Sequence, residues 1–132
     1  MSATATLLQP NSSAGLLSAC YEELNRIADF APDWDGYGAK ALDSSIYRSV
    51  MRWMIEWSAE LGGCHLVATS RGGIQLEWHE GGRILELEFV DADTIEYLKW
   101  WPAGSVESEG SIDPSDDGAC GELLGWLHGE SA

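Results

Sequence analysis

The stretch Gly72-Gly73-Ile74-Gln75-Leu76-Glu77-Trp78-His79-Glu80-Gly81-Gly82-Arg83-Ile84-Leu85-Glu86-Leu87-Glu88-Phe89-Val90 decides the fold. Its apolar residues recur at every second position on both sides of Gly81-Gly82, the period of a half-buried strand. A Gly-Gly pair between two such runs is a two-residue hairpin turn. That turn sets the register. Glu80 faces Arg83, Trp78 faces Leu85, Glu77 faces Glu86, Leu76 faces Leu87, Gln75 faces Glu88 and Ile74 faces Phe89. Ile74, Leu76, Trp78, Leu85, Leu87 and Phe89 then share one side, and a slip of one residue would turn a whole strand outward. The opposite side carries Gln75, Glu77, Glu86 and Glu88.

Outward from this hairpin the same period continues. A three-residue turn at Asp91-Ala92-Asp93 places Phe89 opposite Ile95, Leu87 opposite Tyr97 and Glu88 opposite Glu96. Four strands are expected, at about 65–70, 74–79, 84–90 and 94–101. Upstream the period is helical. Leu17, Cys20, Leu24, Ile27 and Ala28 form one stripe, stopped by Pro32. Ile46, Val50, Trp53, Met54, Trp57 and Leu61 form a second, with Asp43 or Ser44 as N-cap and Gly62-Gly63 as its end. Between them, Asp33-Trp34-Asp35-Gly36-Tyr37-Gly38-Ala39 reads as a tight loop, with Trp34 and Tyr37 plugging the core edge. Downstream of Pro102 the chain is polar and acidic and reads as a mobile loop, before a short helix carrying Leu123, Leu124, Trp126 and Leu127. The expected fold is α+β: two N-terminal helices, a four-stranded antiparallel meander sheet and a short C-terminal helix. Residues 1–13 are expected to be a flexible terminus, and 14–132 one domain with an acidic loop at about 103–118.

Composition narrows the function classes. The chain has 132 residues with 45% hydrophobic content, enough for one core. Asp plus Glu number 22 against 7 Lys plus Arg, a net charge of −15. Solubility asks for only ~2–8 charges on a small domain, and the excess costs stability through self-repulsion. Direct nucleic-acid binding needs a basic footprint, which is missing, and an anionic membrane repels the chain for the same reason. No apolar run reaches the roughly 20 residues of a membrane span, and the first residues lack the basic start of a signal peptide. Three widely spaced cysteines, Cys20, Cys64 and Cys120, form no zinc or redox motif and read as small buried hydrophobes in a reducing cytoplasm.

The register gathers Glu77, Glu86, Glu88 and Glu96 on the solvent face, with Gln75 among them. Side chains two apart on a strand are ~6.7 Å apart and neighbouring strands ~4.8 Å, so like charges here destabilise the sheet. Arg83 at the hairpin end and Lys99 at the far end are the cations nearest to hand. A solvated, salt-screened face explains the cluster; so does a negatively charged docking surface. A second acidic patch runs along the expected loop, with Glu107, Glu109, Asp113, Asp116 and Asp117. Trp100-Trp101 ends a strand, and at least one of the two is expected to point outward, either packed under the last helix or serving as an interface anchor. The carboxylates with His79 are also the residue types that hold a divalent cation or act as acid and base, but they lie on one flat face without calcium-loop spacing. Neither metal nor cofactor is expected, and no nucleophile or phosphate-cradling motif is present.

Trp34-Asp35-Gly36-Tyr37-Gly38-Ala39, followed by a helix and then by Gly72-Gly73-Ile74-Gln75-Leu76-Glu77-Trp78-His79 and Leu85-Glu86-Leu87-Glu88, resembles a family of small bacterial proteins. The family is often met on mobile genetic elements and mostly lacks an assigned function. The resemblance covers about residues 32–98, implies the helix–loop–helix–sheet order, and supplies no catalytic residue. The acidity and the segment from Gly104 onward lie outside it. A compact acidic chain of this kind is also similar in class to anti-CRISPR proteins, many of which present carboxylates where a nucleic acid presents phosphates. Together these readings point to a cytoplasmic, non-enzymatic inhibitor that binds the Lys/Arg-rich surface of a nucleic-acid-binding defence complex. The alternatives are an antitoxin or immunity protein anchored on a toxin by Trp100 or Trp101, a metal-dependent enzyme, and a structural subunit.

Overall fold

The computed structural model describes residues 12–101 and 104–129. Among these residues three helices, α1 (Ser13–Ala28), α2 (Ser44–Glu56) and α3 (Asp117–Leu127), accompany five strands, β1 (His65–Ala68), β2 (Ile74–Glu80), β3 (Arg83–Asp91), β4 (Thr94–Trp100) and β5 (Val106–Ile112). The strands form one antiparallel sheet in chain order. The class is α+β, as expected, but the sheet has five strands where four were expected. The fifth occupies the segment expected to be an acidic loop. Of the expected flexible stretch 1–13, only Ser12 and Ser13 lie within the described residues, and there Ser12 caps α1 by accepting Gly15 N–H at 3.0 Å.

The β2–β3 register is the one dictated by Gly81-Gly82, from Glu80 opposite Arg83 to Ile74 opposite Phe89. Both glycines have positive φ, 57° and 81°, the conformation a two-residue hairpin turn of matching twist requires. Glu88 faces Glu96 and Leu87 faces Tyr97 as expected. The β3–β4 connection differs: Asp91 pairs with Thr94, so the turn is Ala92-Asp93, and Val90 is the extra residue of a bulge.

The helices all cover the same side of the sheet: α1 packs on β1, α2 on β2 and β3, and α3 on β3. Trp53 of α2 is the centre of this core. Its ring lies 6.2 Å from Trp78 and 6.0 Å from Phe89, and its Nε1–H donates to Cys120 Sγ of α3 at 3.3 Å. Asp43 is the N-cap of α2, accepting Ser45 N–H at 2.8 Å. The helix ends at Glu56, short of Gly62-Gly63, and a 3-10 turn at Ser58–Glu60 completes the connection. That turn lets the Glu60 carbonyl accept Trp78 Nε1–H at 2.9 Å, which satisfies a buried indole.

The Asp33–Ala39 segment is held by its own aspartates. Asp33 Oδ1 accepts Gly38 N–H, and Asp35 Oδ1 accepts Tyr37 N–H and Ala39 N–H. Trp34 stacks on Phe30 and donates to Lys40 O. Tyr37, expected at the core edge, is instead 92% exposed. The turn reverses too sharply, with Gly36 and Gly38 both at positive φ, for both aromatic rings to face inward.

Candidate functional site

The side of the sheet away from the helices is the candidate surface. Strand alternation puts His65, Glu77, Glu86, Leu98 and Glu109 in one row across the five strands, and Val67, Gln75, Glu88, Glu96 and Ser111 in the next. The four expected carboxylates and Gln75 are thus together, and β5 adds Glu109. An open groove of about 650 Å³ runs between them, lined by Gln75, Glu86, Glu88, Glu96, Leu98 and Glu109 among others.

This face is cross-linked rather than bare. Gln75 Nε2–H donates to Glu77 Oε2 at 2.9 Å and to Glu86 Oε1 at 3.3 Å. His79 Nε2 meets Glu77 Oε1 at 2.9 Å, and Trp100 Nε1–H donates to Glu86 Oε2 at 2.9 Å. Arg71 reaches over from the β1–β2 turn. It makes a two-pronged bond to Glu88, at 2.8 and 2.9 Å, and a further bond to Glu96 at 2.7 Å. Opposed carboxylates that would otherwise repel are therefore held at fixed positions. The hydrogen bond from His79 holds the Glu77 carboxyl below its ordinary value, against the effect of burial. Arg71 does the same for Glu88, and Glu88 and then Glu96 raise the Arg71 guanidinium further above its own. Both glutamates therefore take up their protons below the ordinary glutamate value.

Arg71 was missed as a partner of this face, because its place beside Gly72-Gly73 reads as part of a turn. The signal that points to it is position: the β1–β2 turn lies at the end of the sheet where Glu88 and Glu96 stand. Arg83 and Lys99, by contrast, do not guard the face. They have the alternation of Leu85, and so project to the helix side. There Arg83 lies 5.3 Å from the Trp101 and Trp126 rings, and Lys99 5.3 Å from Trp126. Five named carboxylates, Glu77, Glu86, Glu88, Glu96 and Glu109, are answered there by one guanidinium.

The hairpin end of the same face is apolar. Trp100 stands opposite both Ile84 and Val106. Ile84 is only 3% exposed, whereas Val106 is 54% exposed. Trp100 is half-buried and on the outer face, while Trp101 turns to α3 and meets Trp126 edge-on at 5.8 Å. One of the two tryptophans faces outward, as expected.

The expected second acidic patch divides. Glu109 joins the sheet face. Glu107 lies at the bulge between the Lys99–Ser108 and Trp100–Val106 pairs, with Oε1 3.4 Å from Trp101 Nε1. Asp113 and Asp116 are local structure: Asp113 accepts from Ser115, and Asp116 caps α3 by accepting Ala119 N–H at 3.0 Å. Asp117 is in the first turn of α3, where its charge suits the helix dipole, and a hydrogen bond with it raises the Glu56 carboxyl. Those three aspartates do not extend the sheet-face surface. Among the described residues no group of three or more His, Cys, Asp or Glu is placed to hold a metal ion, and no helix is long and apolar enough to cross a membrane. No family model, no curated protein and no solved structure matches the chain.

Proposed function

We propose that the protein is a non-enzymatic inhibitor that lays the outer face of its sheet on a Lys/Arg-rich, nucleic-acid-binding surface of a bacterial defence complex of the CRISPR type. One observation carries this reading. Among the described residues, five carboxylates share the face away from the helices and Arg71 bonds two of them, while Arg83 and Lys99 lie on the other side against Trp126 of α3. A sequence selected for stability alone would place Lys among the glutamates. Here four of the glutamates, Glu77, Glu86, Glu88 and Glu96, are instead positioned by Gln75, His79, Trp100 and Arg71, and a surface with fixed charges loses little entropy when it docks. Complementary fields speed the encounter and make it salt-sensitive.

The test is competition. In a gel-shift assay with purified CRISPR effectors, the protein should displace bound nucleic acid from its target effector. The triple variant Glu77→Gln, Glu86→Gln, Glu109→Gln, which keeps the fold's hydrogen-bond acceptors, should lose most of that displacement. Undiminished displacement by the triple variant removes the sheet face from the account.

A second reading, an antitoxin or immunity protein, is favoured by the Trp100–Val106 apolar end of the same face. It requires an anchor more than a field, so Trp100→Ala should then weaken binding more than the three neutralisations together.

A further inference from the structure

Two thiols far apart in sequence share one place in the fold. Cys20 is on the inner face of α1, 6% exposed, and Cys64 is in the turn that enters β1. α1 packs on β1, which brings the two thiols close enough for each to shift the other's proton affinity, while Cys64 Sγ also lies 3.9 Å from the His65 carbonyl oxygen. Cys64 retains some exposure. Both residues line one cleft of about 490 Å³, bordered by Leu16 and Ala19 of α1 and by Leu66 of β1. The third thiol is elsewhere: Cys120 is buried against Trp53. The two neighbours are not equivalent. The hydrogen bond from Cys64 lowers the Cys20 thiol, against burial and Glu23. Burial, and then Cys20, push the Cys64 thiol well up. Of the two, Cys20 is the thiol that ionises first and Cys64 the one that keeps its proton longer.

We propose that Cys20 and Cys64 are a redox pair, converted by a hydroperoxide into an intramolecular disulfide that fastens α1 to β1. The Cys20 thiolate attacks the terminal oxygen of hydrogen peroxide, the O–O bond breaks, and hydroxide leaves to take a proton as water. Cys20 is now a sulfenic acid. The Cys64 sulfur attacks that sulfur, the S–O bond breaks, and the departing hydroxide takes the Cys64 proton as a second water. Two thiols are oxidised and one peroxide is reduced. Cys120 takes no part, and so serves as an internal control. The bridge would tie the first helix to the sheet edge without touching the carboxylate face, so the inference stands apart from the proposed function.

The experiment uses the full reduced chain and hydrogen peroxide. After a near-stoichiometric dose, intact mass should fall by two hydrogens. Alkylation and non-reducing peptide mapping should join the Cys20 peptide to the Cys64 peptide, with Cys120 alkylated. In Cys64→Ser the sulfenic acid has no partner, and dimedone should label Cys20. If Cys20 and Cys64 both remain alkylated while a small thiol in the same tube is oxidised, the pair is mere packing and the proposal fails. It also fails if the bridge includes Cys120, or if Cys64→Ser gives no dimedone adduct at Cys20.

Discussion

Arg71 has one charge and three hydrogen bonds to two glutamates, and it decides how far the acidic face strains the sheet. Its own side chain is 52% exposed, so the pair stabilises modestly. Arg71→Met should cost about 1 kcal/mol in urea melts at low ionic strength, and less in high salt. Acid should expose the same bond. The Glu77 and Glu88 carboxyls are depressed in the folded protein, so their contribution is present above the ordinary value of 4.5 and is lost as pH falls through the depressed values. As pH falls below 4.5 through the depressed values, the wild type should therefore lose more stability than Arg71→Met does. His128 works in the opposite direction. Its two ring nitrogens meet Glu80 at 2.6 Å and Glu60 at 2.7 Å, joining the end of α3 to β2 and to the 3-10 turn. Burial lowers the imidazole, but the two carboxylates outweigh it and hold it above its ordinary 6.5. That tie is fully made below pH 6.5 and fades as pH rises through the raised value. His128→Gln should melt below wild type at pH 6, with the gap closing as the pH is raised. A gap that widens with pH would refute the assignment.

At the scale of elements, the hairpin was legible because two signals agreed. Gly81-Gly82 fixed the register, and alternation fixed the faces. β5 was not legible. Val106-Glu107-Ser108-Glu109-Gly110-Ser111-Ile112 has apolar residues only at its ends and is exposed along most of its length, so its sequence resembles a loop. It is a strand because β4 offers an edge, and its charges blunt the new edge against further pairing. Arg83 and Lys99 were assigned to the wrong face although alternation was enough to place them: whatever turns Leu85 inward turns both of them inward. Two glycines show how closely the sheet is fitted. A Cβ at Gly73 would lie 2.5 Å from the Phe89 carbonyl oxygen and 2.9 Å from Thr69 Oγ1. Backbone cannot yield as a side chain does, so Gly73→Ala should cost about 3 kcal/mol or more by equilibrium unfolding. A Cβ at Gly110 would meet the Tyr97 ring at 2.9–3.1 Å. That ring can move, so Gly110→Ala should cost about 1 kcal/mol. The reverse order of these two costs would mean that β5, not the β2–β3 ladder, is the tighter part of the sheet.

For the molecule as a whole, the helices and the charge are arranged on opposite principles. One side of the sheet is closed by α1, α2 and α3 around Trp53, with Arg83 and Lys99 drawn in over Trp126. Among the described residues the other is left open, with Glu77, Glu86, Glu88 and Glu96 held by their hydrogen bonds and Glu109 exposed beside them. A net charge of −15 thus acquires a direction, which composition alone does not supply. The acidity was legible from the sequence, and so were four of these five glutamates as one group. Their bonding partners were not, because Arg71 and Trp100 reach them through the tertiary fold. The most direct measurement is the dissociation constant for the target effector across a salt series, for wild type and for the Glu77→Gln, Glu86→Gln, Glu109→Gln variant. The account predicts that wild-type affinity falls steeply as salt rises, and that the variant binds weakly with a shallower slope. Equal affinities and equal slopes would contradict it.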